Sequence, residues 1–237
     1  ALKPLLAATA TEAPDEQLVE AARAGSDEAF EALFRRYQDR GLTFLQGYGL
    51  TETSPGALFL RAQQSIRKVG SAGTPCFFTD VRVVRPDMSD VTAGEVGEVV
   101  IEGPNVTTGY WRQPEATRRA FHDGGWFRSG DAASVDDEGY VYIVDRVKDM
   151  FISGGENVFP AEVEQVVYQD PAVAECAVIG IPDERWGEVG LAIVVLREGA
   201  TASAEEILEP LAGKLAKYKI PKSVVFADAL PRNAAGK

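Results

Sequence analysis

The sequence predicts a mixed fold that combines α/β and α+β organisation, because the residue pattern changes twice along the chain. Residues 15–38 repeat apolar side chains at helical spacing. Residues 41–142 contain short β-rich runs separated by glycine and proline, a pattern typical of a small barrel or sandwich. After Asp145, helix-like and strand-like patterns alternate. We therefore expect a helical segment and a barrel-like β part, followed by a separate α+β unit.

The helical region near the start is predicted to break at Gly25-Ser26. Phe30, Leu33 and Phe34 recur three or four residues apart, as one face of a helix requires. Ser26 directly precedes this run and is a natural N-cap residue. Residues 1–40 are therefore expected to form a helical segment, whose origin the sequence leaves undetermined.

Strands are predicted in the β-rich region where β-branched and aromatic residues cluster. A polar turn, Asp136-Asp-Glu-Gly139, precedes one of these runs. The predicted strands are Val81–Val84, Glu98–Ile101 and Tyr140–Val144.

The α+β unit is predicted to contain two amphipathic helices. Pro160 suits the first position of a helix that carries Val163 and Val167 on one side. Ser203-Ala-Glu-Glu206 is a capping box for the second helix. The apolar residues of that second helix are Ile207, Leu208, Leu211 and Leu215.

Continuous apolar runs in the same unit predict buried strands at Cys176–Ile181 and Leu191–Leu196, and Ser223–Ala227 resembles a final strand. The boundary of this unit is expected near Asp145-Arg146. The predicted division is therefore 1–40, 41–145 and 146–237.

Composition excludes several classes of protein. The chain has 237 residues, of which 45% are hydrophobic and 25% charged, as in ordinary globular proteins. No apolar run is long enough to cross a bilayer, and the first residues do not resemble a signal peptide. Cys76 and Cys176 make no disulfide framework, which favours a reducing cytoplasm. His122 is the single histidine, so neither a His/Cys zinc site nor a Ser-His-Asp hydrolase is expected.

The charge of the chain is unevenly distributed. The formal net charge is −12, which argues against nucleic acid as the main partner. Residues 211–237 nevertheless carry six cations and one anion, a local charge of +5. Two interpretations stay open: a solvated basic surface, or a site for a polyanionic small molecule.

Three segments combine glycine with polar side chains in a way that suits a ligand. Gln46-Gly-Tyr-Gly-Leu-Thr-Glu-Thr53 offers a stacking face at Tyr48, with a hydroxyl and a carboxylate at Thr51 and Glu52 suited to phosphate and Mg²⁺. Alone, this segment is equally explained as a tight turn. Asp131, in Gly125-Trp-Phe-Arg-Ser-Gly-Asp131, is either a ribose ligand or a turn aspartate.

The third segment, Asp145-Arg-Val-Lys-Asp-Met-Phe-Ile-Ser-Gly-Gly-Glu-Asn-Val-Phe-Pro160, lies on the expected boundary and suits a hinge and ligand-lining loop. A fourth glycine-rich segment, residues 94–111, is interpreted as structural, without a catalytic role.

Together with Pro231-Arg-Asn-Ala-Ala-Gly-Lys237, these segments resemble the adenylate-forming superfamily of acyl-CoA synthetases, luciferases and adenylation domains. The similarity is greatest to bacterial fatty-acid–CoA ligases, and it extends from about residue 41 to the end. It covers only the C-terminal half of such enzymes, because no segment matches their phosphate loop. The resemblance implies the end of a large N-terminal domain at 41–145 and a small mobile lid domain at 146–237.

The resemblance also implies a two-step reaction that uses ATP, Mg²⁺ and CoA. A fatty acid would attack the ATP α-phosphate to give acyl-AMP, and the CoA thiol would then displace AMP. In this interpretation Tyr48 stacks on adenine, Thr51 contacts phosphate, Glu52 holds Mg²⁺, and Lys237 drives adenylation. The nucleotide-binding set is Gly47, Tyr48, Gly49, Thr51, Asp131 and Arg146.

Lys148 matches the hinge position of the family. The resemblance implies a CoA site made of Ser153, Gly154, Gly155, Trp186, Tyr218, Lys219 and Lys222. For Trp186, the weaker candidate in this set, a role in packing is an equal alternative. Because the phosphate loop is missing, the chain by itself is expected to be nearly inactive. The oligomeric state stays open, with a homodimer among the alternatives.

A second hypothesis is a non-catalytic nucleotide- or CoA-binding module. Residues 15–37 are similar to the first helical segment of an extracytoplasmic-function sigma factor, which would link such a module to transcription. No basic DNA-reading helices follow this segment, and the ligase hypothesis is therefore favoured.

Overall fold

A computed structural model describes residues 13–23, 26–43, 45–65 and 67–232 of the chain. The chain divides into two compact units. The first unit contains residues up to 46 together with residues 60–69, and the second contains residues 47–59 and 70–237. Within the described residues, no helix combines the length and the apolar character needed to cross a membrane.

The first unit contains a pair of helices, α1 (Asp15–Arg23) and α2 (Asp27–Asp39), as the predicted break requires. Ser26 caps α2, because its Oγ accepts a hydrogen bond from the N–H of Ala29 at 3.2 Å. Buried Leu18 and Ala29 lie in the two helices, and Arg36 pairs with Asp15 at 2.7 Å.

The β-rich region contains two sheets. The first has the order β1-β2-β3. The second is an antiparallel meander in sequence order, β4-β5-β6-β7, with helix α3 (Pro114–Arg119) between β5 and β6. The described strands do not close into a barrel. The bounds are β1 (Gln46–Tyr48), β2 (Leu58–Leu60), β3 (Thr74–Pro75), β4 (Asp80–Val84), β5 (Val96–Glu102), β6 (Phe127–Val135) and β7 (Val141–Arg146).

One face of the meander is apolar because its strands alternate inward and outward side chains. Val83, Val99, Ile101, Ala133 and Val141 are buried together on that face. Strands are confirmed at all three predicted places: β4 and β5 contain the first two predicted runs, and β7 begins one residue later than the third, at Val141.

The third sheet belongs to the C-terminal part and has the order β10-β11-β8-β9, with β12 parallel to β11. Its long hairpin pairs Cys176 with Val194 and contains both predicted apolar runs. The helices α4 (Pro160–Val167) and α5 (Ala204–Leu208) contribute to the buried core of this sheet. The strands are β8 (Phe151–Ser153), β9 (Glu156–Val158), β10 (Val173–Asp183), β11 (Gly187–Leu196) and β12 (Ser223–Phe226).

The second predicted helix of this part is shorter than expected. The capping box is present, because the N–H of Glu206 donates to Ser203 Oγ at 3.2 Å and the N–H of Ser203 donates to Glu206 Oε2 at 2.8 Å. Helix α5 nevertheless ends at Leu208 and continues as a single 3₁₀ turn, Glu209–Leu211. Pro210 explains this, because proline has no N–H to donate within an α-helix.

The mixed fold class is confirmed. The predicted boundary at Asp145-Arg146 coincides with the last residues of β7. Both sides of it lie in the second compact unit, so a mobile lid beginning there stays a prediction.

Candidate functional site

The loop that follows β1 is tight, and its glycines make that possible. A Cβ at Gly49 would lie 1.4 Å from the carbonyl oxygen of Pro55, and one at Gly47 would lie 2.8 Å from the ring of Phe59. Neither position has room for a larger residue, so the loop holds Tyr48 between two close backbone approaches.

Tyr48, Asp131 and Arg146 form a cluster, although they come from three separate segments of the sequence. The hydroxyl of Tyr48 donates a hydrogen bond to Asp131 Oδ2 at 2.6 Å. Arg146 Nε lies 3.0 Å from Asp131 Oδ1. The two charged residues face each other because β6 and β7 pair Asp131 with Arg146 in register. We call this group the Asp131 cluster.

Within the Asp131 cluster the carboxylate is shielded from water, whereas Arg146 is exposed. Asp131 is only 7% exposed, and its N–H donates to Ser129 Oγ at 3.0 Å. Burial, and then the hydrogen bond to Asp131, raises the pKa of the Tyr48 phenol well above its usual value. The phenol therefore stays protonated at physiological pH and remains a hydrogen-bond donor.

Thr51 and Glu52 lie in a single 3₁₀ turn, Thr51–Thr53, that follows the glycine loop. Thr53 is fully buried, and its Oγ1 bonds the N–H and the carbonyl of Leu50 at 2.9 and 3.0 Å. Asn105 Nδ2 donates to the carbonyls of Thr53 and Gly56 at 2.9 Å each. These hydrogen bonds hold the backbone of the turn, while Thr51 stays exposed to solvent.

The carboxylate of Glu52 has one hydrogen bond within the described residues. The hydroxyl of Tyr110 donates to Glu52 Oε1 at 2.9 Å. Burial and the neighbouring carboxylate raise the pKa of Tyr110. Asn105 and Tyr110 both lie in the segment interpreted as purely structural, and sequence reasoning missed their contact with the turn. Glycine and valine are the most frequent residues of that segment, and both Asn105 and Tyr110 lie more than fifty positions from Glu52, so the sequence gives no local signal of these contacts.

No cluster of three or more His, Cys, Asp or Glu side chains in the described part of the chain could hold a metal ion. Glu52 does fit the usual protein contribution to a Mg²⁺ site, because Mg²⁺ typically takes one or two carboxylates and completes its shell with phosphate oxygens and water.

Lys148 lies in an exposed turn between β7 and β8. It borders a cavity of about 420 Å³ whose other charged residues are all acidic. Burial, together with two nearby aspartates, raises the pKa of one of them, Glu164. The acidic residues around the cavity are Asp145, Asp149, Glu164 and Glu188.

Four of the seven residues predicted for CoA line a second cavity of about 440 Å³, whereas Gly154, Gly155 and Lys219 are not among its lining residues. We call it the Trp186 cavity. Gly154 lies against the indole, because a Cβ at this position would be 2.7 Å from the Trp186 ring, and its N–H donates to the Trp186 carbonyl at 2.8 Å. The cavity is lined by Ser153, Arg185, Trp186, Val189, Lys217, Tyr218, Ile220 and Lys222.

Lys219 is engaged elsewhere. Its ammonium pairs with the carboxylate of Glu162 at 2.6 Å, and it is not among the lining residues of the Trp186 cavity. Arg185 and Lys217 do line that cavity, and sequence reasoning missed both. The excess of lysines in the terminal segment was the available signal for Lys217.

Lys237 and the rest of residues 233–237 lie outside the described residues. The terminal motif can be followed only as far as Arg232, whose side chain pairs with Glu175 at 2.9 Å.

Comparison with known proteins finds two family models that match this chain. The model of the AMP-binding enzyme family matches residues 3–111, and that of the AMP-binding enzyme C-terminal domain matches residues 162–237. The chain belongs to the AMP-binding enzyme family.

Similar curated proteins are CoA ligases. A feruloyl-CoA synthase from Amycolatopsis sp. is 56% identical over 205 residues, which cover 86% of this chain and 42% of that protein. The long-chain-fatty-acid–CoA ligase FadD13 from Mycobacterium tuberculosis is 51% identical over 207 residues, which cover 87% of this chain and 41% of that protein. The chain thus spans about two fifths of the length of these relatives.

Among solved structures, the o-succinylbenzoate CoA synthetase MenE from Bacillus subtilis, in complex with its acyl-adenylate intermediate, matches with a TM-score of 0.78 at 40% identity. The match covers 86% of this chain and 42% of that one. The same enzyme in complex with ATP and magnesium matches with a TM-score of 0.76.

Proposed function

We propose that the protein is an ATP-dependent acid–thiol ligase that converts a carboxylic acid to acyl-AMP and then to acyl-CoA. The observation that carries this proposal is the Asp131 cluster, which joins residues expected to bind one nucleotide although they lie far apart in sequence. Its support from outside the chain is the similarity to CoA ligases.

In this proposal the Asp131 cluster binds the nucleoside of ATP. A carboxylate has about four lone-pair sites, so Tyr48 and Arg146 leave acceptor capacity on Asp131 for the two ribose hydroxyls. The Tyr48 ring supplies the face for adenine. Burial strengthens these hydrogen bonds relative to the same bonds in water.

The phosphates would lie near the exposed Thr51 hydroxyl, with Glu52 as the protein ligand of Mg²⁺. When bound, Mg²⁺ neutralises charge on the phosphate oxygens during attack by the carboxylate. Lys237 is proposed to place an ammonium near the same oxygens.

The Trp186 cavity is proposed as the CoA end of the site. Its three cations, Arg185, Lys217 and Lys222, suit the phosphates of CoA, and its aromatic walls suit the adenine. Gly154 is packed against the Trp186 indole, whereas a Cβ at Gly155 would meet nothing within 4 Å, so the turn is open to the slender pantetheine arm at Gly155. Lys148 is proposed as the hinge between the two half-reactions.

We propose a fatty acid as the carboxylate, acting in the cytoplasm, where free thiols such as those of Cys76 and Cys176 persist. The similar curated proteins include a feruloyl-CoA synthase as well as a fatty-acid ligase. An aromatic acid therefore belongs in any test of the substrate.

The proposal is tested by product analysis of the protein in the form in which its own cells express it, which we call the natively expressed protein. With ATP, Mg²⁺ and CoA, we expect AMP, pyrophosphate and acyl-CoA in equal amounts from a long-chain fatty acid, with ferulate and succinylbenzoate as comparison substrates. Nucleotide binding without any of these products, for every acid, would favour the non-catalytic module. The 237-residue chain alone is expected to give little product, and robust turnover by it would contradict that expectation.

A further inference from the structure

We propose that Tyr110 is a positioning residue for the Glu52 carboxylate, and that it prepares this carboxylate for the metal–nucleotide complex. The inference rests on the proposed function and adds a residue from the segment for which the sequence indicated no role. The juxtaposition behind it is the hydrogen bond of 2.9 Å from the Tyr110 hydroxyl to Glu52 Oε1.

Glu52 needs such a residue because its own element is short. It lies in a 3₁₀ turn of three residues, and a glutamate side chain loses considerable rotamer freedom when it is fixed. Asn105 and Thr53 hold the backbone of the turn, but neither of them contacts the Glu52 carboxylate in the described structure.

The segment after β5 holds Glu52 at two points. The N–H of Thr107 donates to the Glu52 carbonyl at 2.7 Å, and Tyr110 binds the side chain of the same residue. Backbone and carboxylate are therefore fixed together by residues only three positions apart.

Tyr110 is itself fixed. Its N–H donates to Thr117 Oγ1 in α3 at 2.9 Å. The preceding Gly109 has φ 143°, and a Cβ there would lie 2.5 Å from the Thr117 methyl carbon, so only glycine allows this close approach. Tyr110 is thus held by its backbone to helix α3 and by its phenol to Glu52.

The two carboxylate oxygens of Glu52 are consequently different. Oε1 is occupied by Tyr110, whereas Oε2 has no hydrogen-bond partner within the described residues. Occupation of Oε1 restricts the rotation of the carboxylate and leaves Oε2 for a cation. If both oxygens bound the cation, the hydrogen bond from the Tyr110 phenol to Oε1 would have to break.

The test uses Tyr110→Phe in the natively expressed protein. We expect the Mg²⁺ concentration that gives half-maximal ATP–pyrophosphate exchange to rise five- to tenfold. Thioester formation from supplied acyl-adenylate and CoA should change less than twofold, because that half-reaction does not use the metal–phosphate contact. Tyr142→Phe is the matched control, since it removes a phenol–carboxylate hydrogen bond to Asp136 of 3.3 Å and should leave the Mg²⁺ requirement unchanged.

A binding measurement separates positioning from a general structural effect. Mn²⁺ titrations followed by electron paramagnetic resonance, with a non-hydrolysable ATP analogue present, should show weaker Mn²⁺ binding in Tyr110→Phe. In a Glu52→Gln background the same substitution should have no further effect. An additive loss, an unchanged Mn²⁺ affinity, or tighter binding in Tyr110→Phe would each overturn the assignment.

These experiments distinguish a failure of the Tyr110 assignment from a failure of the proposed function. If the unsubstituted protein exchanges pyrophosphate and Tyr110→Phe matches it, only the role of Tyr110 is wrong. If the unsubstituted protein neither exchanges pyrophosphate nor binds Mn²⁺ with the analogue, the proposed function fails and the assignment fails with it.

Discussion

For single residues, the main feature of the site is that two protein side chains bind the Asp131 carboxylate and set its orientation. The Tyr48 phenol holds one carboxylate oxygen and the Arg146 guanidinium holds the other. Both partners are donors, so the carboxylate is kept in one orientation. In the proposed complex, the residue that stacks on the base would also orient the residue that binds the sugar.

Tyr48→Phe tests this link, because it keeps the ring and removes the hydroxyl. A hydrogen bond to a charged group contributes about 1.5–3 kcal/mol, so we expect ATP binding to weaken about ten- to hundredfold. The weakening should be smaller for 2′-deoxyATP and 3′-deoxyATP, since Asp131 makes fewer contacts with them. Affinities of the three nucleotides, measured by calorimetry, decide the question. Equal weakening of all three would show that the phenol does not act through Asp131.

At the scale of elements, the starts of helices were predictable and their ends were less so. Ser26, Pro160 and Ser203 are local signals that act on the next few residues, and each begins a helix as expected. The apolar spacing beyond Leu208 also suited a helix, and it misled the prediction of α5 because Pro210 changes the backbone hydrogen bonds there. Side-chain periodicity alone does not report such a change.

The turn at Lys148 carries a second prediction. Lys148 is exposed and lies two residues after the end of β7, so Lys148→Pro should cost little stability while it fixes φ at the proposed hinge. We expect overall acyl-CoA formation to fall at least tenfold, with each half-reaction changing less than threefold when assayed separately. Lys148→Ala is the control and should stay near the unsubstituted rate. Equal losses in one half-reaction and in overall turnover would remove the hinge role.

At the scale of the whole molecule, the positive charge of the terminal segment is partly cancelled by its neighbours. The net charge is −12, yet residues 211–237 carry +5. Lys219 pairs with Glu162 and Arg232 pairs with Glu175. Lys217 and Lys222 instead line the Trp186 cavity, so within the described part of this segment they are the lysines placed to meet a polyanion there.

This distribution revises which lysines should matter for CoA. We expect Lys217→Glu combined with Lys222→Glu to raise the KM for CoA at least tenfold, with the KM for ATP nearly unchanged. The effect should shrink as salt rises, because exposed charges are screened over about 8 Å at physiological ionic strength. Lys214→Glu makes the same charge change away from the cavity, where Lys214 bonds Gln169, and serves as the control. If the KM for CoA rises equally in the control, the effect comes from the positive surface charge in general and not from the Trp186 cavity.

The features that the sequence predicted depend on local patterns, and those that it did not predict are contacts between residues far apart in the chain. The strands and the turn residues depend on local patterns, and the family motifs indicated Tyr48, Asp131 and Arg146 one by one. The contacts of Tyr110 with Glu52 and of Lys219 with Glu162 join residues 58 and 57 positions apart. Spacing and composition carry no information about such pairs, which is why the contact of Tyr110 with Glu52 and that of Lys219 with Glu162 emerged only from the structure.

The proposed function requires the Asp131 cluster to bind the nucleotide that is consumed in forming acyl-AMP. Acid-dependent ATP–pyrophosphate exchange by the natively expressed protein, measured for Asp131→Ala and for the exposed control Asp123→Ala, tests it most directly. We expect kcat/KM for ATP to fall about hundredfold in Asp131→Ala, equivalent to about 2.7 kcal/mol, and to stay within twofold in Asp123→Ala. Exchange that persists unchanged in Asp131→Ala would contradict the account.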